Sequence, residues 1–126
     1  MKRGEVWTAS AGGDYAGKPR PVVIVQDDAF TATNSVTLCA FTTDPTDAPL
    51  FRVLVTPDAT NGLREGSRLM IDKMTTVPRS KLGRRVGRLN DADLLRLNRA
   101  LALFLGLATT GQAINSGNEV IKQPRA

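Results

Sequence analysis

The expected fold is built around the segment Lys18-Pro19-Arg20-Pro21-Val22-Val23-Ile24-Val25-Gln26-Asp27. Residues 21–25 form a continuous apolar and mostly β-branched run, which is typical of a short strand buried on both faces. Arg20 lies between two prolines that restrict the backbone, so its guanidinium group projects from a rigid position. Such an arginine fits either a solvated strand end or a site for phosphate or carboxylate.

The segments around this strand predict further short strands. We expect them at residues 5–9, 35–41, 51–56, 68–77 and 84–89, the fourth with a bend at Asp72-Lys73. Alternation in the first strand points Val6 to one face and Trp7 to the other, where Trp7 has a packing role. Residues 10–17 contain three glycines and no periodicity, which predicts a mobile surface loop able to act as a flap.

One helix is predicted after the strands. Asn90 is suited to cap its start, and Gly106 is suited to end it. The apolar residues that recur at helical spacing are Leu94, Leu97, Leu101, Phe104 and Leu105. We expect this face to pack on the sheet. Five to seven short strands and one C-terminal helix predict a mainly β fold, a small and strongly bent antiparallel barrel.

Composition narrows the classes of function. The chain has 126 residues, the size of one domain, and 17 basic against 12 acidic residues give a formal net charge of +5. This charge favours an anionic partner such as nucleic acid or an acidic protein segment. The sequence contains no histidine, which removes the commonest general base and metal ligand. Cys39 lies in an apolar run and is expected to be a buried small hydrophobe.

No segment has the pattern of an export signal or a membrane span. The start of the chain has no hydrophobic signal region, and no apolar run is long enough to cross a bilayer. We therefore expect a cytoplasmic protein.

Three segments, in order and spacing, resemble the MazF/PemK family of toxin–antitoxin ribonucleases. They are Lys2-Arg3-Gly4-Glu5-Val6-Trp7, the segment of residues 18–27, and Ala40-Phe41-Thr42-Thr43. The resemblance covers residues 1–107 as one toxin domain and leaves residues 108–126 as a polar C-terminal tail. It implies an SH3-like or CcdB-like barrel, a homodimer, and metal-independent cleavage of single-stranded RNA at short sequence motifs, without a cofactor. It also implies a cognate antitoxin whose disordered acidic segment covers the active sites.

The resemblance assigns roles to individual residues. Arg20 matches the active-site arginine of the family, and Thr42 matches the hydroxyl residue at the end of the third strand, with Thr43 as the alternative if the register differs by one. Asp72 falls where some members have a catalytic or RNA-contacting acid.

Further basic residues are expected to attract either an RNA backbone or an acidic peptide. They are Lys18, Arg79 and Arg84.

The residue types suit a reaction in which the substrate supplies the nucleophile. Without histidine, a ribonuclease-A-like histidine pair and a histidine-ligated zinc site are excluded. Attack by the ribose 2′-OH on the adjacent phosphorus builds up negative charge on the phosphate oxygens. An arginine fork and a threonine hydroxyl are suited to donate hydrogen bonds to that charge.

Two other classes of function fit the same sequence. One is a CcdB-like toxin that inhibits a topoisomerase by protein contact without catalysis. The other is a non-catalytic RNA-binding barrel. Cleavage of naked RNA separates both alternatives from the ribonuclease.

Overall fold

The computed structural model describes residues 1–10, 18–30 and 32–109. This part of the chain forms seven strands and one α-helix. The strands are β1 (Glu5–Ser10), β2 (Pro19–Ile24), β3 (Ser35–Thr42), β4 (Arg52–Val55), β5 (Ser67–Met70), β6 (Thr75–Pro78) and β7 (Leu82–Arg88), and the helix is α1 (Asp91–Phe104). Short 3-10 turns span Asp28–Phe30, Ile71–Lys73 and Arg79–Lys81.

The strands form one antiparallel sheet that confirms the predicted fold class. Its order is β4-β5-β3-β2-β1-β7, and β6 pairs with β3 beside this path. The sheet is not closed into a barrel by strand pairing. Strands β4 and β7 are the two ends of this order and do not pair. The loop after β4 contacts β7 instead, since the Arg88 N–H in β7 donates to the Thr60 carbonyl at 2.8 Å.

Strand β3 connects the two halves of the sheet. One edge pairs with β2, while the other pairs with β6 along its first half and with β5 near its end. The 3-10 turn Ile71–Lys73 separates β5 from β6, and both strands pair with β3. This turn confirms the bend that the sequence predicts at Asp72-Lys73.

The core lies on both sides of β2, as predicted. Val23, and Val25 directly after the strand, are buried in a large cluster beneath α1, whereas Val22 and Ile24 are buried in a second cluster on the other face. Trp7 packs against the second cluster, which confirms its packing role. Successive side chains of this segment therefore pack into two different core clusters, one on each face of the sheet. Both faces are buried, which explains why the sequence is apolar without a break.

Cys39 belongs to the large cluster and has no exposed surface, as predicted. Burial raises the pKa of its thiol to about 12, so the group stays neutral at physiological pH.

Helix α1 begins as the sequence predicts but extends past the core. The Asn90 side chain accepts a hydrogen bond from the Asp93 N–H at 2.7 Å, and Leu97 is fully buried. Phe104 and Leu105 are 48% and 51% exposed, so the prediction that they pack on the sheet is wrong. Phe104 follows Leu97 by seven residues, which is almost two helical turns, so both residues lie on the same face of the helix. The core beneath this face ends before it reaches Phe104.

Two predicted segments fall mainly outside the described residues. The loop predicted at 10–17 is described only at Ser10, which ends β1, and the tail predicted at 108–126 is described only to Thr109. Within the described chain, no helix is both long and apolar enough to cross a membrane.

Candidate active site

An open groove of about 1150 Å³ lies where β1 ends, β2 begins and β3 ends. Apolar side chains of the second cluster form its floor. They are Ala9, Val22, Leu38, Ala40 and Val77. Polar and charged side chains surround this floor. The groove therefore offers an apolar surface with a polar rim, an arrangement that suits a ligand with both flat apolar and charged parts.

Arg20 and Thr42 both line this groove. The β2–β3 register pairs Val22 with Ala40, and continuing it by two residues places Arg20 opposite Thr42. Residues two apart in a strand share a face, so both side chains lie on the face of the apolar floor. The structure thus brings together the two residues that the resemblance assigns to catalysis.

The two prolines beside Arg20 fit this position because β2 pairs only with β1 there. Pro19 and Pro21 lie opposite Ser10 and Thr8 of β1, whereas the ladder to β3 begins at Val22. A proline has no N–H to donate, so it is tolerated where a strand has one neighbour. Arg20 is exposed between them and faces the groove.

The Thr42 hydroxyl is held by its own turn. Its Oγ1 accepts a hydrogen bond from the Asp44 N–H at 3.1 Å. A hydroxyl that accepts one bond keeps its hydrogen to donate to another acceptor, such as a phosphate oxygen. Thr43 also lines the groove, but it follows the last residue of β3.

The described rim of the groove is strongly basic. Its basic side chains are Lys18, Arg20, Arg64, Lys73 and Arg84, and its acidic side chain is Glu65. Lys18 and Arg84 were expected from the sequence to contact RNA. Arg64 and Lys73 were missed because both lie in turns without periodicity. The bend predicted at Asp72-Lys73 was the available signal for Lys73.

Asp72 does not line the groove. The Arg52 guanidinium donates to both of its carboxylate oxygens, from Nε at 2.8 Å and from Nη2 at 3.0 Å. These hydrogen bonds hold the pKa of Asp72 below its usual value. The pair ties β4 to the bend after β5, and the next residue, Lys73, lines the groove.

Arg79 also lies apart from the groove-lining residues. Its Nε donates to the Thr33 carbonyl at 2.6 Å, and its Nη1 contacts the Met1 sulfur at 2.9 Å. In the described ranges 1–10, 18–30 and 32–109, no three His, Cys, Asp or Glu side chains are grouped to hold a metal ion.

The loop between β4 and β5 is fixed from within by Asn61. This side chain has no exposed surface. Its amide nitrogen donates to the Thr56 carbonyl at 2.9 Å, and its oxygen accepts from the N–H groups of Leu63 at 3.0 Å and Asp58 at 3.2 Å. One side chain therefore satisfies three backbone groups of the loop.

The same loop is in close contact with β7. A Cβ on Gly87 would overlap the Thr60 carbonyl oxygen, and a Cβ on Gly62 would overlap Val86. Gly62 also has a φ of +71°, which other residues rarely adopt. Packed on β7 in this way, the loop places residues 62–65 along one side of the groove, which we name the 62–65 wall.

The family of the chain follows from comparison with known proteins. The model of the PemK-like, MazF-like toxin of type II toxin–antitoxin systems matches residues 2–105. The chain belongs to this family. The resemblance of the three sequence segments to this family is therefore confirmed.

Individual MazF relatives match most of the chain. The probable endoribonuclease MazF of Mycolicibacterium smegmatis is 58% identical over 108 residues, which cover 86% of this chain and 99% of the relative. Endoribonuclease MazF9 of Mycobacterium tuberculosis is 30% identical over 116 residues, which cover 85% and 98%.

A solved structure has the same fold. It is a mycobacterial endoribonuclease in complex with its cognate antitoxin, with a TM-score of 0.70 and 25% identity. The match covers 86% of this chain and 98% of that one. Because the match extends over nearly the whole length of that endoribonuclease, the described sheet and helix share its fold.

Proposed function

We propose that this MazF-like toxin is an endoribonuclease that cleaves single-stranded RNA in the groove. The observation that carries the proposal is the placement of Arg20 and Thr42 on facing strands within a basic groove. Family membership and the relative named a probable endoribonuclease, 58% identical, support it. The protein would encounter its substrate RNA in the cytoplasm.

The shape and charge of the groove suit a single RNA strand. Five basic side chains on the rim carry positive charge that attracts phosphates. The apolar floor can contact the faces of unpaired bases and riboses, which a duplex would keep stacked. Lys18, Arg84, Arg64 and Lys73 would bind the backbone on either side of the cleaved phosphate.

In the proposed reaction the 2′-OH loses its proton to water as the 2′-oxygen forms a bond to the adjacent phosphorus, and the bond to the 5′-oxygen breaks as that oxygen takes up a proton. The products carry a 2′,3′-cyclic phosphate and a 5′-hydroxyl. Arg20 donates hydrogen bonds to the non-bridging oxygens, where negative charge develops, and Thr42 donates its hydroxyl hydrogen to the same phosphate. Arg20 stabilises charge first and donates a proton to the 5′-oxygen second, and water returns a proton to the guanidinium.

The other expected residues receive different roles. Asp72 is a positioning residue, because Arg52 occupies both of its oxygens and the pair fixes the bend that presents Lys73. Arg79 would contact RNA only outside the groove.

Arg20 variants test the proposal. Arg20→Ala should slow cleavage by about 100- to 1,000-fold, the loss expected for one preorganised donor to a developing anion. Arg20→Lys should recover only part of the rate, because a lysine lacks the planar fork. The matched control is Arg99→Ala on α1, which removes the same charge outside the groove and should keep the full rate.

Two results would contradict the proposal. Equal rates for Arg20→Ala and Arg99→Ala would remove Arg20 from the site. Toxicity in cells without cleavage of purified RNA would favour a toxin that acts by protein contact.

We further propose that the chain forms a homodimer and is inhibited by an antitoxin with an acidic segment. The basic rim that attracts phosphates also attracts carboxylates, and the solved mycobacterial relative is in complex with its cognate antitoxin. Light scattering should give twice the chain mass. Antitoxin and an uncleavable RNA analogue should compete, more strongly at low than at high salt. Independent binding of both would contradict a shared site.

A further inference from the structure

The position of the 62–65 wall is fixed by contacts with the rest of the chain. Asn61 binds the backbone before and after it, and Gly62 and Gly87 bring the loop against β7. At its tip, Arg64 and Glu65 are exposed and line the groove. A backbone fixed in this way presents its side chains from a constant position, so the loop itself needs little ordering when a ligand binds.

An acidic side chain such as Glu65 would not favour binding in a groove that contacts only phosphates. It is the one acidic side chain on the described rim, facing an RNA backbone that carries a negative charge at every nucleotide. No hydrogen bond or ion pair within the described residues engages its carboxylate. A carboxylate repels phosphate, but it accepts hydrogen bonds from the N–H groups of bases.

We propose that the 62–65 wall reads the base sequence next to the cleaved phosphate. Glu65 accepts hydrogen bonds from a base that presents N–H donors, such as the N4 amino group of cytosine or N1 and N2 of guanine. Arg64, on the same wall, donates either to a neighbouring phosphate or to base acceptors. The inference rests on the proposed ribonuclease function and names how that site selects its RNA.

The test uses an RNA pool with randomised positions, treated with the full-length protein and sequenced at the new 5′ ends. The wild type should prefer one base class at a position near the cut. Glu65→Gln and Glu65→Ala should relax or change that preference by about tenfold, the range expected for one good base contact.

Asp47→Asn is the matched control. It removes one negative charge from an exposed residue that does not line the groove, so it reports any general gain in RNA affinity without a change in base preference. Arg64→Ala tests the second side chain of the wall and should weaken binding or alter the preference at an adjacent position.

The outcomes separate this inference from the proposed function. Cleavage by all variants with one unchanged motif would overturn the role of the wall and leave the ribonuclease intact. Absence of cleavage by the wild type would overturn the proposed function and this inference with it. A change of motif in the Glu65 variants that is absent from Asp47→Asn supports the wall as the reader of sequence.

Discussion

Asn61→Ala tests how the groove is held together. The substitution removes the side chain that is fully buried between β4 and β7 and that satisfies three backbone groups. The Asp58 and Leu63 N–H groups and the Thr56 carbonyl would lose their partner. The loop that carries the 62–65 wall should then lose its fixed conformation.

The expected cost follows from these contacts. Each hydrogen bond contributes a net of about 0.5–1.5 kcal/mol, so three give roughly 2–4 kcal/mol of unfolding free energy. For a domain of this size, such a loss lowers the melting temperature by about 10 °C. Water that enters the loop would reduce the loss, so the lower end of the range applies if the loop opens without further unfolding.

Thermal and urea unfolding, followed by circular dichroism at one fixed protein concentration, measure the effect. The fixed concentration matters because dimerisation would add to the apparent stability. Asn98→Ala is the control, since this exposed helical residue accepts one bond from Arg3, and alanine favours the helix. Its unfolding free energy should change by less than about 1 kcal/mol. A change of that small size for Asn61→Ala would refute the anchoring role of Asn61.

Three further outcomes are expected. Thr42→Val keeps the side-chain volume but removes the hydroxyl, so it should slow RNA cleavage by about 10- to 100-fold with unchanged circular dichroism, and a fully active variant would point to Thr43 instead. Cys39 should not react with a thiol reagent at pH 8 until urea unfolds the chain, because burial raises its pKa to about 12; rapid reaction of the folded protein would contradict its packing. Asp72 has a lowered pKa in the folded state, so its stabilisation is present above about pH 4, the value of an unfolded aspartate, and is lost as pH falls through the lower folded value. The difference in unfolding free energy between wild type and Asp72→Asn should therefore shrink below about pH 4, and a constant difference down to pH 2 would contradict the Arg52 pairing.

The sequence correctly predicted the structural elements that are determined by residues close together in the chain. The apolar run of β2, the bend between β5 and β6 and the Asn90 cap each depend on neighbouring residues, and each was found where it was expected. The exposure of Phe104 could not be predicted from its spacing, because the spacing gives the face of a helix but not where the core beneath it ends.

Part of the candidate site could likewise be predicted from the sequence, and part could not. Arg20 and Thr42 were identified through the family resemblance, and the strand register then placed them opposite one another. The 62–65 wall was not predicted because its position depends on Gly87, which is far along the chain and has no periodic relation to the loop. The pairing of Asp72 with Arg52 likewise joins residues twenty positions apart.

The central claim is that the RNA supplies its own nucleophile, and one substrate tests it directly. A short RNA containing a mapped cleavage site is prepared in two forms, one with ribose throughout and one with a single deoxyribose on the 5′ side of the scissile phosphate. Both are incubated with the protein in EDTA, and the ends are identified by mass spectrometry. The account predicts that the all-ribose RNA yields a 2′,3′-cyclic phosphate and a 5′-hydroxyl while the deoxyribose form stays intact. Cleavage of the deoxyribose form, or loss of all cleavage in EDTA, would contradict it.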